Sequence, residues 1–261
     1  MAKIRQSAGE GRVQVRAIAV GFTTGYRWQS PPSAWGQLIF ASRGALTVET
    51  PTALWVVSPR QAVWLPGGEA HAVRLAGRGV LRRVYVRRSV RRVPRVAGVV
   101  PLTALLREVL RRAVAIGALA STTPMHAHLL AVLYDELAVT GARPIELPMP
   151  RDPRARRAAE LARHDPGRAR DAAWVAREAG ASVRTLERCF RADTGMSFGA
   201  WRQRARLLVA LERLANGASV TAAGLEAGYA GTSAFVAAFR RETGVTPGRW
   251  GDPSRPRSGR G

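Results

Sequence analysis

Leu186-Glu187-Arg188-Cys189-Phe190-Arg191-Ala192-Asp193-Thr194-Gly195 and Phe235-Val236-Ala237-Ala238-Phe239-Arg240-Arg241-Glu242-Thr243-Gly244 are two versions of one pattern, 49 residues apart. Each opens on an apolar residue. Cys189-Phe190 corresponds to Ala238-Phe239, and an Arg, a Thr and a Gly recur in step. Self-similarity at a fixed spacing marks a repeated supersecondary unit.

Working outward, each copy is preceded by a shorter helix and a glycine. Asp171 to Ala179 reads as a helix stopped by Gly180, and Ser182 caps the next helix, which starts at Val183. On that second helix Leu186, Cys189 and Phe190 share one face, while Arg184, Glu187, Arg188 and Arg191 share the other. In the second copy Ser219 caps Val220 to Ala227, Gly228 stops it, and a helix follows from Thr232 to Arg241. Helix, glycine turn, then a helix with a charged outer face is the helix-turn-helix pattern, whose second helix enters a DNA major groove. One amphipathic helix with a solvated arginine face would explain either copy alone, but not their recurrence. Between the copies, Phe198, Trp201, Ala205, Leu208, Leu211 and Ala215 form the buried stripe of a long helix. It spans about 28 Å at 1.5 Å per residue, which suits two recognition helices set roughly 34 Å apart, one DNA turn.

The stretches Ser182 to Phe190, Thr194-Gly195-Met196-Ser197-Phe198, Arg206-Leu207-Leu208, and Gly228-Tyr229 through Thr246-Pro247 resemble the AraC/XylS family of bacterial transcription regulators. The resemblance covers about 100 residues and implies two helix-turn-helix units joined by a long helix. It places DNA-contacting side chains at Arg184, Thr185, Glu187, Arg188 and Arg191 in the first unit. In the second it places them at Thr232, Ser233, Val236, Ala237 and Arg240. Two positions depart from the family pattern. Its apolar-Ala pair before the second recognition helix is Ala223-Gly224 here, and its terminal Arg is Gly251.

Charge agrees with a nucleic-acid partner. The 261 residues hold 41 basic and 18 acidic side chains, a formal charge of +23, and Lys3 is the sole lysine. A GC-rich coding bias explains arginine over lysine but not the surplus itself, which favours a polyanion. Cutting after Leu147 leaves both parts basic, so charge alone does not say which part binds. The single cysteine, Cys189, excludes an internal disulfide and reads as core filler. No apolar run is long enough for a membrane span, and Met1 to Gln6 lacks a signal-peptide pattern. The expectation is a cytoplasmic protein without a membrane partner.

Residues 14–90 alternate short apolar runs with Gly and Pro, as in Gln37 to Phe40, Ala45 to Val48, Leu54 to Val57 and Ala62 to Leu65. Strands at this spacing predict a β-sandwich or small barrel, with seven strands at most. Leu102, Leu105, Leu106, Val109, Leu110 and Ala113 then recur at helical spacing, and Thr123-Pro124 starts a second helix. This helical hairpin either covers the barrel or carries a dimer seam. The Pro-rich stretch Arg143 to Pro150 reads as a domain boundary. The fold class expected is therefore α+β with two domains. Residues 10–142 form a cupin-like β-barrel with a helical hairpin, 151–250 an all-α double helix-turn-helix domain, and 251–261 a disordered tail.

Pro66-Gly67-Gly68-Glu69-Ala70-His71 and Gln37 with Gly44 have the spacing of the two cupin motifs, and many AraC-like regulators carry such an effector domain. In metal cupins two histidines precede the Gln, where Pro31 and Ser33 stand here. Gln37 and His71 alone fall short of the usual three protein ligands, so no metal and no cofactor is expected. Gln37, Trp64 and His71 are candidate contacts for a small-molecule effector. The plainer alternatives are a satisfied barrel histidine for His71 and core packing for Trp28, Trp35, Trp55 and Trp64. His126 and His128 lie two apart on a helix and do not share a face. No catalytic residue is assigned, since no Ser-His-Asp order, phosphate loop or carboxylate pair is present.

The function expected is sequence-specific DNA binding in transcription regulation, modulated through the N-terminal domain. Double-stranded DNA is the main partner, with a small-molecule effector, RNA polymerase and a second copy of the chain as further candidates. The rivals are a cupin-type enzyme fused to a DNA-binding domain and a sequence-independent architectural protein.

Overall fold

The computed structural model describes residues 13–23, 25–75, 79–138, 145–164, 166 and 171–250. The expected tail at 251–261, the first residues of the expected N-terminal domain and its end at 139–142 lie outside them.

The N-terminal part contains β1 (Val13–Phe22), β2 (Tyr26–Ser30), β3 (Trp35–Ala41), β4 (Leu46–Glu49), β5 (Ala53–Val57), β6 (Gln61–Leu65), β7 (His71–Leu75), β8 (Gly79–Arg87) and β9 (Gly98–Pro101). There follow α1 (Ala104–Ile116), β10 (Ala118–Ala120), α2 (Pro124–Ala138) and β11 (Glu146–Pro148). All strand pairs are antiparallel and form two sheets, in the orders β10-β1-β8-β3-β6-β9 and β11-β5-β4-β7-β2. The remainder is helical: α3 (Pro153–His164), α4 (Ala172–Glu178), α5 (Val183–Thr194), α6 (Phe198–Ala215), α7 (Val220–Glu226), α8 (Thr232–Thr243) and α9 (Pro247–Trp250).

Strand alternation sorts the side chains into layers. Ile39, Val48, Trp55, Val57, Val63, Leu65, Val73 and Leu81 meet between the two sheets. Leu38, Phe40, Trp64, Val84 and Val86, on the other face of the first sheet, pack on Leu106, Leu110, Leu133 and Leu137 of α1 and α2. Leu54 and Val56, on the other face of the second sheet, join Trp201, Ala205, Leu208 and Phe190 of the helical part. The molecule is thus a stack of helical hairpin, sheet, sheet and helices. At β4 and β5 the second sheet is buried on both sides, which explains why β5 reads as an unbroken apolar run rather than an alternating one.

Two expectations change. Among the described residues, 14–90 hold eight strands rather than seven at most, and three more, β9, β10 and β11, lie beyond them, each three or four residues long and too short to show a period. The Pro-rich boundary also contains structure: Glu146, Leu147 and Pro148 pair with Trp55, Leu54 and Ala53. Proline is tolerated there because β11 is an edge strand. The connection therefore continues the second sheet before α3 begins. The hairpin helices follow their capping signals, with Thr103 accepting from the Leu106 N–H and α2 starting at Pro124.

Candidate nucleic-acid interface

The two helix-turn-helix units carry the same local hydrogen bonds. In the turns, the Ala181 N–H donates to Ala176 O at 2.9 Å and the Tyr229 N–H to Gly224 O at 3.0 Å. Gly180 and Gly228 hold the left-handed backbone at these turns, φ 69° and 82°, where a side chain would be strained. At the ends of α5 and α8, Thr194 donates to Phe190 O at 2.6 Å and Thr243 to Phe239 O at 2.8 Å. The same threonine oxygens accept from Met196 N and Val245 N, each at 3.2 Å. The Thr-Gly pair of the repeat is therefore a helix stop, which is why it recurs.

Gly224 is the departure with a physical reason. A Cβ there would stand 3.0 Å from the Phe235 side chain. The first unit has Ala176 and Leu186 at the corresponding positions, and the second has Gly224 and Phe235. A smaller residue on α7 makes room for the larger ring on α8. Phe235 is fully buried and stacks edge-on with Phe239, centroids 5.5 Å apart.

Helix α6 connects the units and is capped by Ser197, whose side chain accepts from Ala200 N. Its 18 residues extend about 27 Å. Trp201 anchors it, with the indole N–H donating to Pro148 O at 2.7 Å and the ring edge-on to Phe190.

The outer faces follow from this packing. In α5, Arg184, Arg188 and Arg191 are exposed, while Leu186, Cys189 and Phe190 are buried. Burial also raises the Cys189 thiol pKa, so it carries no thiolate chemistry. Thr185 is half-buried and drawn into the cap, 2.9 Å from the Ser182 hydroxyl. Glu187 is half-buried too. Its Oε2 accepts from the Phe198 N–H at 3.4 Å and lies 3.7 Å from Arg191 Nε. It ties α5 to the first turn of α6. In α8, Ser233, Ala237 and Arg240 are exposed, as are Ala234 and Arg241, which sequence reasoning left out. Val236 is half-buried, and Thr232 donates to Thr221 at 3.2 Å. The first recognition helix is thus rich in long donors and the second in short side chains.

The effector candidates separate. Gln37 and His71 are buried, and both strands place them toward the layer between the sheets, on the faces shared with Ile39 and Val73. Trp64 alternates to the opposite face, packs under the hairpin, and its indole N–H donates to Pro94 O at 2.8 Å. The inward polar residue missed from sequence is Arg83, buried on β8 with its guanidinium 6.0 Å from the Trp28 ring centroid. Burial lowers the His71 pKa. Its Nδ1 contact with Glu69 O opposes this, and the Arg83 charge adds to the lowering. A cation beside Gln37 and His71 works against a metal at this place.

Among the described residues no helix is long and apolar enough to cross a membrane. Residues 175–252 match the family described as a helix-turn-helix domain. Over 215 residues, 82% of this chain and 79% of the relative, the chain is 32% identical to the HTH-type transcriptional regulator NimR of Escherichia coli K12. It is 38% identical over 100 residues to the HTH-type transcriptional regulator RipA of Corynebacterium glutamicum, covering 38% of this chain and 30% of RipA. Among solved structures, ToxT of Vibrio cholerae aligns over 90% of this chain and 96% of its own, at 11% identity and a TM-score of 0.38. The DNA-binding domain of AdpA in complex with a target DNA aligns over 37% and 87%, at 29% identity and a TM-score of 0.34. With two capped, repeated helix-turn-helix units in place and a regulator related over most of both chains, this protein belongs to the AraC/XylS family of DNA-binding transcription regulators.

Proposed function

We propose that α5 and α8 read two successive major-groove segments of one DNA site, with α6 setting their separation. The observation that carries this is the repeated unit, whose two outer faces stay exposed while both inner faces share one core. Arg184 and Arg188 are the base readers, because an exposed arginine can take guanine bidentately, about 1–3 kcal/mol of discrimination. Arg191 and Arg240, further along their helices, meet phosphate. Thr185, Glu187 and Thr232 shape the reading heads through the contacts above. Ser233, Val236 and Ala237 offer a thymine methyl or a phosphate surface but few base hydrogen bonds.

The two sheets form a cupin-like sensing domain of this reading, with Gln37 and His71 toward the effector. RNA polymerase and a second copy of the chain, seated near the exposed Leu105 and Met125 of the hairpin helices, are its further partners. It acts in the cytoplasm and is not an enzyme, which the names of its relatives support.

The test starts from sites selected out of random duplexes. Arg188→Ala should lose affinity for the selected site and relax preference at one or two base pairs. Arg240→Ala should weaken selected and scrambled DNA alike and reduce the salt slope by about one. An equal loss on both DNAs for Arg188→Ala would make Arg188 a phosphate contact. Failure to enrich any sequence would leave only an architectural, sequence-independent role.

A further inference from the structure

The polar side chains between the two sheets narrow the chemistry of what that layer binds. Arg83 is 7% exposed, and its Nε and Nη2 are buried with no hydrogen-bond partner among the described residues. No described carboxylate forms an ion pair with it. Nε–H and Nη2–H lie along one edge of the guanidinium and point the same way, so together they take both oxygens of a carboxylate. A guanidinium held in an apolar layer without a counter-charge is costly.

Two of the other unpartnered groups, on His71 and Gln37, have the opposite polarity, while the Trp55 Nε1 in the same layer is a donor. His71 Nδ1 faces the Glu69 carbonyl at 3.3 Å, and a carbonyl only accepts, so Nδ1 carries the proton. Nε2 of the neutral ring is then an acceptor, buried and unpartnered among the described residues, as is Gln37 Oε1. The three groups face one layer. Arg83 reaches from the first sheet to Trp28 on the second, and Trp28 pairs with Val73, two residues from His71. Gln37 pairs with Tyr85, the next inward position after Arg83. A bare carboxylate would satisfy Arg83 and leave both acceptors empty. Hydroxyl donors on the same molecule complete the set, and Val48, Leu65 and Val73 supply apolar walls.

We propose that the layer between the sheets binds a small hydroxylated carboxylate, its carboxylate on the Nε–Nη2 edge of Arg83 and its hydroxyls on His71 Nε2 and Gln37 Oε1. This rests on reading the two sheets as the sensing domain.

The experiment uses the full chain, with thermal shift and calorimetric titration. The probes are gluconate, 2-hydroxyisocaproate and 3-phenyllactate, beside isocaproate, which lacks the hydroxyl, and 2-hydroxyisocaproamide, which lacks the charge. At least one hydroxy acid should raise the melting temperature at millimolar concentration, with matched deoxy acid and amide about tenfold weaker or more. Arg83→Met should melt no lower than the unsubstituted chain without ligand and lose the response. Gln37→Leu should narrow the preference for 2-hydroxyisocaproate over isocaproate. No shift with any hydroxy acid, an amide as good as its acid, or a full response in Arg83→Met would each overturn the proposal. The probe series on the unsubstituted chain decides it even where a variant fails to fold. DNA affinity measured with and without the bound acid separates the two readings. Unchanged affinity with Arg83-dependent binding removes the sensing role and leaves the site, whereas no binding removes the site.

Discussion

Arg74 Nη2 on β7 donates to Glu212 Oε1 on α6 at 2.6 Å, joining the second sheet to the helix between the two reading units. Thr47, the cross-strand partner of Arg74, donates to the same oxygen at 2.5 Å. Glu49 and Arg163 add a second ion pair between the same sheet and α3, at 3.0 Å.

The Arg74–Glu212 pair is half in solvent on the arginine side, which limits its worth. A double-mutant cycle of Arg74→Ala and Glu212→Gln, read by urea unfolding, should give a coupling of about 0.5–1 kcal/mol that shrinks at high salt. A coupling of zero at low salt would mean that the pair contributes geometry but no stability.

Gly224→Ala gains about 1 kcal/mol of helix propensity and places a methyl against Phe235, where overpacking costs about 1–3 kcal/mol. The substitution should therefore destabilise by about 1 kcal/mol. Adding Phe235→Leu recreates the Ala–Leu pair of the first unit, so the double variant should lose about 1 kcal/mol less than the two single losses together. Strict additivity in chemical denaturation would show that the ring does not require the glycine.

His71 gives a pH dependence with a definite sign. Its folded pKa lies below the ordinary 6.5, so the unfolded chain takes up a proton that the folded chain refuses. Its contribution is complete above pH 6.5 and declines as pH falls below that value, toward the folded pKa. Melting curves across this range should slope less for His71→Gln than for the unsubstituted chain. Equal slopes would assign the acid sensitivity to other groups.

A C-terminal fragment of residues 151–251 contains both units and α6, and should fold and bind DNA. It lacks the Pro148 carbonyl that accepts from Trp201 and the buried Met149. A fragment beginning at residue 145 should be more stable by about 1–3 kcal/mol in thermal unfolding followed by circular dichroism. Identical midpoints would show that the strand before α3 contributes nothing to the helical part.

The helical half was legible because its signals are local. Ser182, Ser197 and Ser219 cap the helices they precede, and Gly180, Gly195, Gly228 and Gly244 sit at positive φ where helices stop. Gly224 could be seen as a departure but not explained, since its reason is a ring eleven residues away that only packing brings close. In the sheets, the Gln37 and His71 positions were readable from spacing. Arg83 was not, because β8 runs Leu81-Arg82-Arg83-Val84-Tyr85-Val86 and mixes arginine with apolar residues on both faces. Trp64 needed the register with Leu38 to show which side it takes. Glu187 reads from its helical position as an acid that accepts from a base or holds a neighbouring arginine, and only the start of α6 reveals its further partner, the Phe198 N–H.

Where β4 and β5 are covered on both faces, the second sheet is a party wall between the inner layer and the helices. Val73 faces the layer between the sheets, as do His71 and Arg83, while Arg74, the next residue, is ion-paired to α6. A single peptide plane separates them. A displacement of Val73 would carry Arg74 with it and so bear on Glu212 through the chain itself.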